Sequence, residues 1–169
     1  STLACALNVA RQFGAHISVT YLREFPDLVA AGGFDVLSGY LSEDLTAEIE
    51  AKARQRETGM RAVFDNFVSR EGITIRSKPE FGDKVSASWS VMGGAAEDVV
   101  TLHGGAYDLI VVSHPENMAN SLSRVTAEAA LFATGRPVLI APPIPPKTIG
   151  ETVLIGWNRS AAAARSFHA

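Results

Sequence analysis

Two uninterrupted apolar runs in the last third of the chain constrain the fold more than any other feature. Leu109, Ile110, Val111 and Val112 form one; Val138, Leu139, Ile140 and Ala141 form the other. Each is short and bounded by turn formers, so each reads as a strand buried on both faces. The stretch 122–133 between them has helical spacing, and two buried strands joined by a helical crossover pair in parallel. The chain is therefore expected to be α/β, with an open parallel sheet and helices on both faces.

The remaining segments fit that scheme. Leu3, Leu7, Val9 and Phe13 predict a helix over 2–13 that ends at Gly14, a residue suited to a left-handed cap. Residues 15–22 alternate apolar and polar side chains and read as a strand covered mainly on one face. The stretch 23–40, with Pro26, Gly32, Gly33 and Gly39, reads as loop. From Ser42, an N-cap, the positions Leu45, Ile49, Ala53, Met60, Phe64 and Phe67 predict a long amphipathic helix over 43–70. Its Glu48, Glu50, Lys52, Arg54 and Arg56 form a solvated face suited to near-neighbour ion pairs. The run Ile73, Thr74, Ile75 and the alternating stretch 86–92 read as one strand, interrupted or preceded by a hairpin. Gly93 and Gly94 turn the chain into a helix through Leu102 that ends near Gly104. Prolines 142, 143, 145 and 146 make 142–150 a stiff linker. After it, 152–156 reads as a further buried strand, with a helix over 161–167 behind it.

Composition removes several classes of function. The formal charge is −3, from 15 basic and 18 acidic residues, and no Lys/Arg cluster offsets it, which argues against a nucleic-acid partner. A single cysteine, Cys5, cannot build a disulfide framework and reads as a core thiol. His16, His103 and His168 read as structural or surface residues, and no two histidines have the i, i+4 spacing of a helix-borne metal site. No apolar run approaches a membrane span, so a cytoplasmic, soluble protein without a membrane partner is expected.

Three segments carry a family likeness: Gly14, Ala15, His16, Ile17; Tyr107, Asp108 and the apolar run to Val112; and Thr134, Gly135, Arg136, Pro137 with the run to Ile140. In these the chain resembles the universal stress protein family, especially its bacterial tandem-domain members. Val153, Leu154, Ile155, Gly156, Trp157, Asn158, Arg159 and Ser160, followed by alanines, resemble the opening of a second copy. The resemblance implies an adenine-nucleotide alpha hydrolase-like sheet with flavodoxin-like layering and order 3-2-1-4-5, its strand 1 missing or supplied from elsewhere; were 152–156 to fill that place, Asn158 would lie beside Ser113. It also implies a domain over 1–141 lacking its first strand, the linker over 142–150, and the start of a second similar domain over 151–169. Expected partners are a small ligand and another copy, either as a homodimer or by pairing within a tandem chain.

ATP-binding members carry a glycine-rich phosphate signature after the fourth strand. Here that stretch reads Ser113, His114, Pro115, Glu116, with Arg124 and Val125 where the signature ends in glycine and serine. Proline removes an amide donor and Glu116 adds a charge like that of phosphate. The family's standard mode of ATP binding is therefore not expected, although ATP or another adenine nucleotide is the ligand the resemblance suggests. Ser113, His114 and Arg124 are the binding candidates at the carboxyl end of strand 108–112, where open sheets take ligands; Asn158 and Ser160 are their candidates from the second segment. No nucleophile elbow surrounds Ser113 and no catalytic constellation is recognised. The expected function is a non-catalytic stress-response or regulatory domain. The alternatives are a nucleotide hydrolase or transferase using Ser113, His114 and Arg124, and a degenerate scaffold half of a tandem protein.

Overall fold

A computed structural model describes residues 2–23, 43–79, 84–115, 121–161, 163 and 164. Ser42, the segment 24–41, Glu116 and His168, on which expectations were placed, lie outside the described residues. In chain order the elements are α1 (Thr2–Phe13), β1 (His16–Arg23), α2 (Glu43–Glu71), β2 (Thr74–Ile75), β3 (Ser86–Gly93), α3 (Ala96–Gly104), β4 (Ile110–Ser113), α4 (Ser121–Ala133) and β5 (Val138–Ala141). The fold is α/β, with small, open parallel sheets.

Local chemistry sets the helix ends. Gly14 has φ +61° and Gly72 φ +65°, the left-handed conformation that costs a residue with a Cβ. In each case the following amide reaches back five residues, Ala15 N to Ala10 O and Ile73 N to Val68 O, both at 3.0 Å. Both helices thus close by the same Schellman device. The exposed face of α2 carries the expected i, i+4 pairs, Lys52 with Glu48 at 2.6 Å, Arg54 with Glu50 at 3.2 Å and Arg61 with Asp65 at 2.9 Å. Two further ion pairs tie α2 to its neighbours, Glu57 to Arg23 at the end of β1 and Glu71 to Arg11 of α1.

The expected single sheet is two. β1 pairs with β3 in parallel along its whole length, from His16 opposite Ser86 to Arg23 opposite Gly93, and β2 flanks β3 on the far side, also parallel. The pairing of β2 with β3 corrects the reading of 73–92 as one strand: the two runs lie side by side as separate parallel strands. Ile110 to Ser113 of β4 pair in parallel with Val138 to Ala141 of β5, as the crossover argument requires. No ladder joins β1 to β4 among the described residues, so the order 3-2-1-4-5 is not assembled. The strand expected at 152–156 is coil with every residue exposed, and it bonds to neither β1 nor β4.

Each sheet has its own core. On the first, Phe64, Phe67 and Val68 of α2 and Leu7 of α1 pack against Ala87, Ile17, Val19 and Trp89. Phe64 is 1% exposed and its ring centroid lies 5.4 Å from that of Trp89. On the second, Ala127 and Ala130 of α4 meet Val112, Ile110, Val138 and Val100. Cys5 is buried, as a core thiol should be.

Two stability predictions follow from these cores. Phe64→Ala removes a ring that its surroundings cannot replace, and should cost about 3–5 kcal/mol, read as a lower urea midpoint at unchanged slope. Gly104→Ala inverts the usual helix preference. A Cβ there would stand 2.6 Å from Thr134 Cγ2 and 3.1 Å from Ile110 Cδ1, so alanine should destabilise by about 1–3 kcal/mol instead of stabilising. Adding Thr134→Ser, which deletes the obstructing methyl and keeps the hydroxyl, should recover most of the loss; no recovery in the double variant would refute the clash.

Candidate functional site

The carboxyl end of β4 places two of the expected residues together. Ser113 closes the strand and is exposed, and His114 follows it, also exposed, with its amide donating to Ala141 O at 3.0 Å. This bond extends the β4–β5 ladder by one step and holds both residues at the sheet's rim. Arg124 sits in the first turns of α4, where its guanidinium pairs with Glu128 at 3.4 Å. No hydrogen bond or ion pair links it to Ser113 or His114 among the described residues.

Asn158 and Ser160 serve each other and not that rim. Ser160 N donates to Asn158 Oδ1 at 3.1 Å, and Ala163 N donates to Ser160 Oγ at 3.1 Å. Together they cap the helical turn that begins at Ala161. With 152–156 in exposed coil, the arrangement that would bring Asn158 beside Ser113 is not formed.

A second polar constellation was not singled out by sequence reasoning. Because β1 and β3 pair in register, His16, Ser18 and Thr20 share one face with Ser86, Ser88 and Ser90, while Ile17, Val19, Ala87 and Trp89 take the other. His16 Nδ1 lies 2.8 Å from Ser86 Oγ, and Nε2 lies 3.0 Å from Ser88 Oγ. Thr20 Oγ1 lies 3.0 Å from Ser90 Oγ, and Ser88 Oγ donates to Ser18 Oγ at 3.4 Å. Tyr107, just ahead of β4, brings its hydroxyl within 3.4 Å of Ser18 Oγ. The signal was present as polar residues in the same phase of both alternating stretches, but only pairing shows that the phases coincide.

This row can hold a neutral imidazole. One ring nitrogen donates to a serine and the other accepts from a serine, so both are satisfied without charge. Among the described residues no carboxylate orients the ring, so the serine–histidine contact there has no third member of a catalytic relay. Partial burial pushes His16 below the ordinary histidine range. Among the described residues no cluster of three acidic, histidine or cysteine side chains suits a metal ion, and no helix is long and apolar enough to cross a membrane.

The depressed pKa of His16 sets a pH dependence. The unfolded chain takes up its proton first, near pH 6.5, so folding stability should be complete above that value and fall as pH drops toward the folded pKa. Glu48, hydrogen-bonded by Lys52, and Glu71, hydrogen-bonded by Arg70 and Arg11, are held low as well. Their losses come only at more acid pH. Thermal midpoints between pH 7.5 and 5.5 should therefore decline in the parent chain and decline less in His16→Gln; parallel curves would show that His16 does not contribute.

Comparison with family models, curated proteins and solved structures returns no match to this chain.

Proposed function

We propose that the chain is a non-catalytic, universal stress protein-like regulatory domain. It binds a small ligand at the carboxyl rim of β4 and associates with a second copy. The observation that carries the ligand reading is the exposed Ser113–His114 pair at the end of a parallel β4–α4–β5 unit, the position where open α/β sheets take ligands. The crossover unit, the echoes around Gly14, Tyr107 and Gly135 and the apolar strand runs support the family reading. An adenine nucleotide is the ligand that reading suggests. Pro115 has no amide to offer a phosphate, so the contacts fall to the serine hydroxyl, the imidazole and Arg124, whose pairing with Glu128 must be exchanged for the ligand. Solvent-exposed pairs of this kind contribute little, so the exchange is inexpensive. The non-catalytic reading is supported by the lack of a relay around Ser113 among the described residues and by the serine partners that occupy both nitrogens of His16.

Thermal shift and calorimetry with ATP, ADP and AMP test this. Ligand at a hundredfold excess over its dissociation constant should stabilise the fold by about 2.7 kcal/mol. His114→Ala with Arg124→Ala should weaken binding by about tenfold, equivalent to ~1.4 kcal/mol. No response to any of the three at millimolar concentration would remove the nucleotide from the reading, and phosphate release abolished by the double variant would overturn the non-catalytic assignment.

A further inference from the structure

The row around His16 is one connected chain of hydrogen bonds, and a single link sets its direction. Ser88 Oγ donates to Ser18 Oγ at 3.4 Å. A serine hydroxyl has one proton to give, so toward His16 Nε2, 3.0 Å away, Ser88 can only accept. Nε2 therefore carries the ring proton. Nδ1 is left bare and accepts from Ser86 Oγ at 2.8 Å. The chain runs from Ser86 through both ring nitrogens to Ser88 and Ser18, and it ends at the Tyr107 hydroxyl, 3.4 Å from Ser18 Oγ.

The two sides of the ring answer a second proton differently. Imidazolium donates from both nitrogens. On the Nε2 side nothing has to turn, because Nε2 already donates and a charged donor only strengthens that bond. On the Nδ1 side the bond must reverse: the proton taken from water sits on Nδ1, Ser86 Oγ becomes the acceptor, and the hydroxyl keeps its own proton rotated away from the ring. Ser86 is 5% exposed, and among the described residues its hydroxyl has no second partner. A buried donor without an acceptor is costly.

The position of Ser86 decides where that cost is relieved. It opens β3, opposite His16 of β1 on one side and Thr74 of β2 on the other. The β1 ladder is eight residues long, whereas β2 is two residues, both exposed, followed by one backbone bond from Arg76 N to Ala87 O at 2.9 Å. Water reaches Ser86 most readily by opening the β2 side.

Among the described residues the groups bonded to the imidazole are hydroxyls. β2 and β3 carry no charged side chain, and the one charged side chain of α1, Arg11, is paired with Glu71 of α2. The charges of α2 belong to the helix on the opposite, apolar face, where Glu57 holds Arg23 at the far end of β1. Lys84 ahead of β3 and Asp108 beside Tyr107 are exposed. Burial lowers the His16 range without help from a neighbouring charge, and Tyr107 is the row's other titratable group.

We infer that the row is a proton-operated switch with one moving part: Ser18, acting through Ser88, holds neutral His16 as the Nε2–H tautomer, and protonation turns the Ser86 hydroxyl and opens the β2 edge while the chain to Tyr107 keeps its direction. Ser18 is a positioning residue, since it sets the ring's tautomer through Ser88.

Long-range proton–nitrogen NMR of the imidazole and amide hydrogen exchange, both on the 169-residue chain, test this. Above the His16 midpoint, Nε2 should give the signal of a protonated nitrogen and Nδ1 that of a bare one. Ser18→Ala, which frees the Ser88 proton to turn toward the ring, should leave a mixture of tautomers, and Ser18→Thr, which keeps the hydroxyl, should restore the single one. As His16 titrates, exchange at the Arg76 amide, corrected for its intrinsic pH dependence, should quicken about tenfold, the effect of one buried unpaired donor. That response should vanish in His16→Gln. A bare Nε2 in the parent chain, or a single tautomer surviving in Ser18→Ala, overturns the assigned direction. Arg76 exchange indifferent to the protonation of His16 overturns the switch. The parent chain alone supplies the tautomer and the exchange response, so neither depends on a variant that folds.

Discussion

The in-register parallel ladder between β1 and β3 is the contact on which the rest is arranged. Its register aligns the polar phase of one strand with the polar phase of the other, so the sheet acquires two chemically distinct faces. One face is apolar and recruits α1 and α2 through Leu7, Phe64, Phe67 and Val68. The other is a row of hydroxyls around His16. A slip of one residue would set polar against apolar side chains on both faces and bury polar groups beneath α2. The aromatic stack and the imidazole therefore depend on the same alignment: Tyr21 lies over Trp89 at 6.0 Å on one face while His16 is bracketed by serines on the other.

The second sheet is organised by close approach instead of aromatic bulk. Gly104 of α3 is buried against Thr134 and Ile110 with no room for a methyl group. This lets α3 approach the end of α4 closely enough for Val100 to join the small residues Ala127 and Ala130 over Val112. Thr134 keeps its rotamer by donating to Ala130 O at 2.7 Å while accepting from Arg136 N. Among the described residues the two cores share no residue, and α1 touches a strand of each sheet.

Elements whose identity depends on local pattern were legible in the sequence. The helices at 2–13, 43–71 and 121–133 have long apolar repeats and glycine stops, and the runs 110–113 and 138–141 form strands as expected, but they are not buried on both faces: Val112 and Ala141 are buried while Ser113 and Ile140 are exposed. What could not be read depends on neighbours distant in sequence. Residues 152–156 have full strand character, but a strand exists only where another strand offers its edge, and here they are exposed coil. The run at Thr74 and Ile75 reads as part of the strand 86–92 because nothing local shows that the chain returns to lay the two runs side by side. Ser113 and His114 were legible because strand polarity alone puts them at the rim. The His16 row was not, since histidine in a half-covered strand has no local mark that separates a bonded imidazole from a solvated one. Asn158 and Ser160 matched a site pattern, but their geometry is that of a cap.

The two ends of the β4–β5 pair are fastened very differently. At its start, Ile110 N reaches Pro137 O at 3.0 Å, and the Arg136 guanidinium donates twice to Gly105 O, at 2.9 and 2.6 Å, lashing the turn before β5 to the end of α3. At its finish, among the described residues, the ladder closes on one backbone bond, from His114 to Ala141. A two-stranded sheet has little stability to spare, so its fluctuations run from the weakly tied end inward. The rim carrying Ser113 and His114 is thus the part of this sheet that yields first.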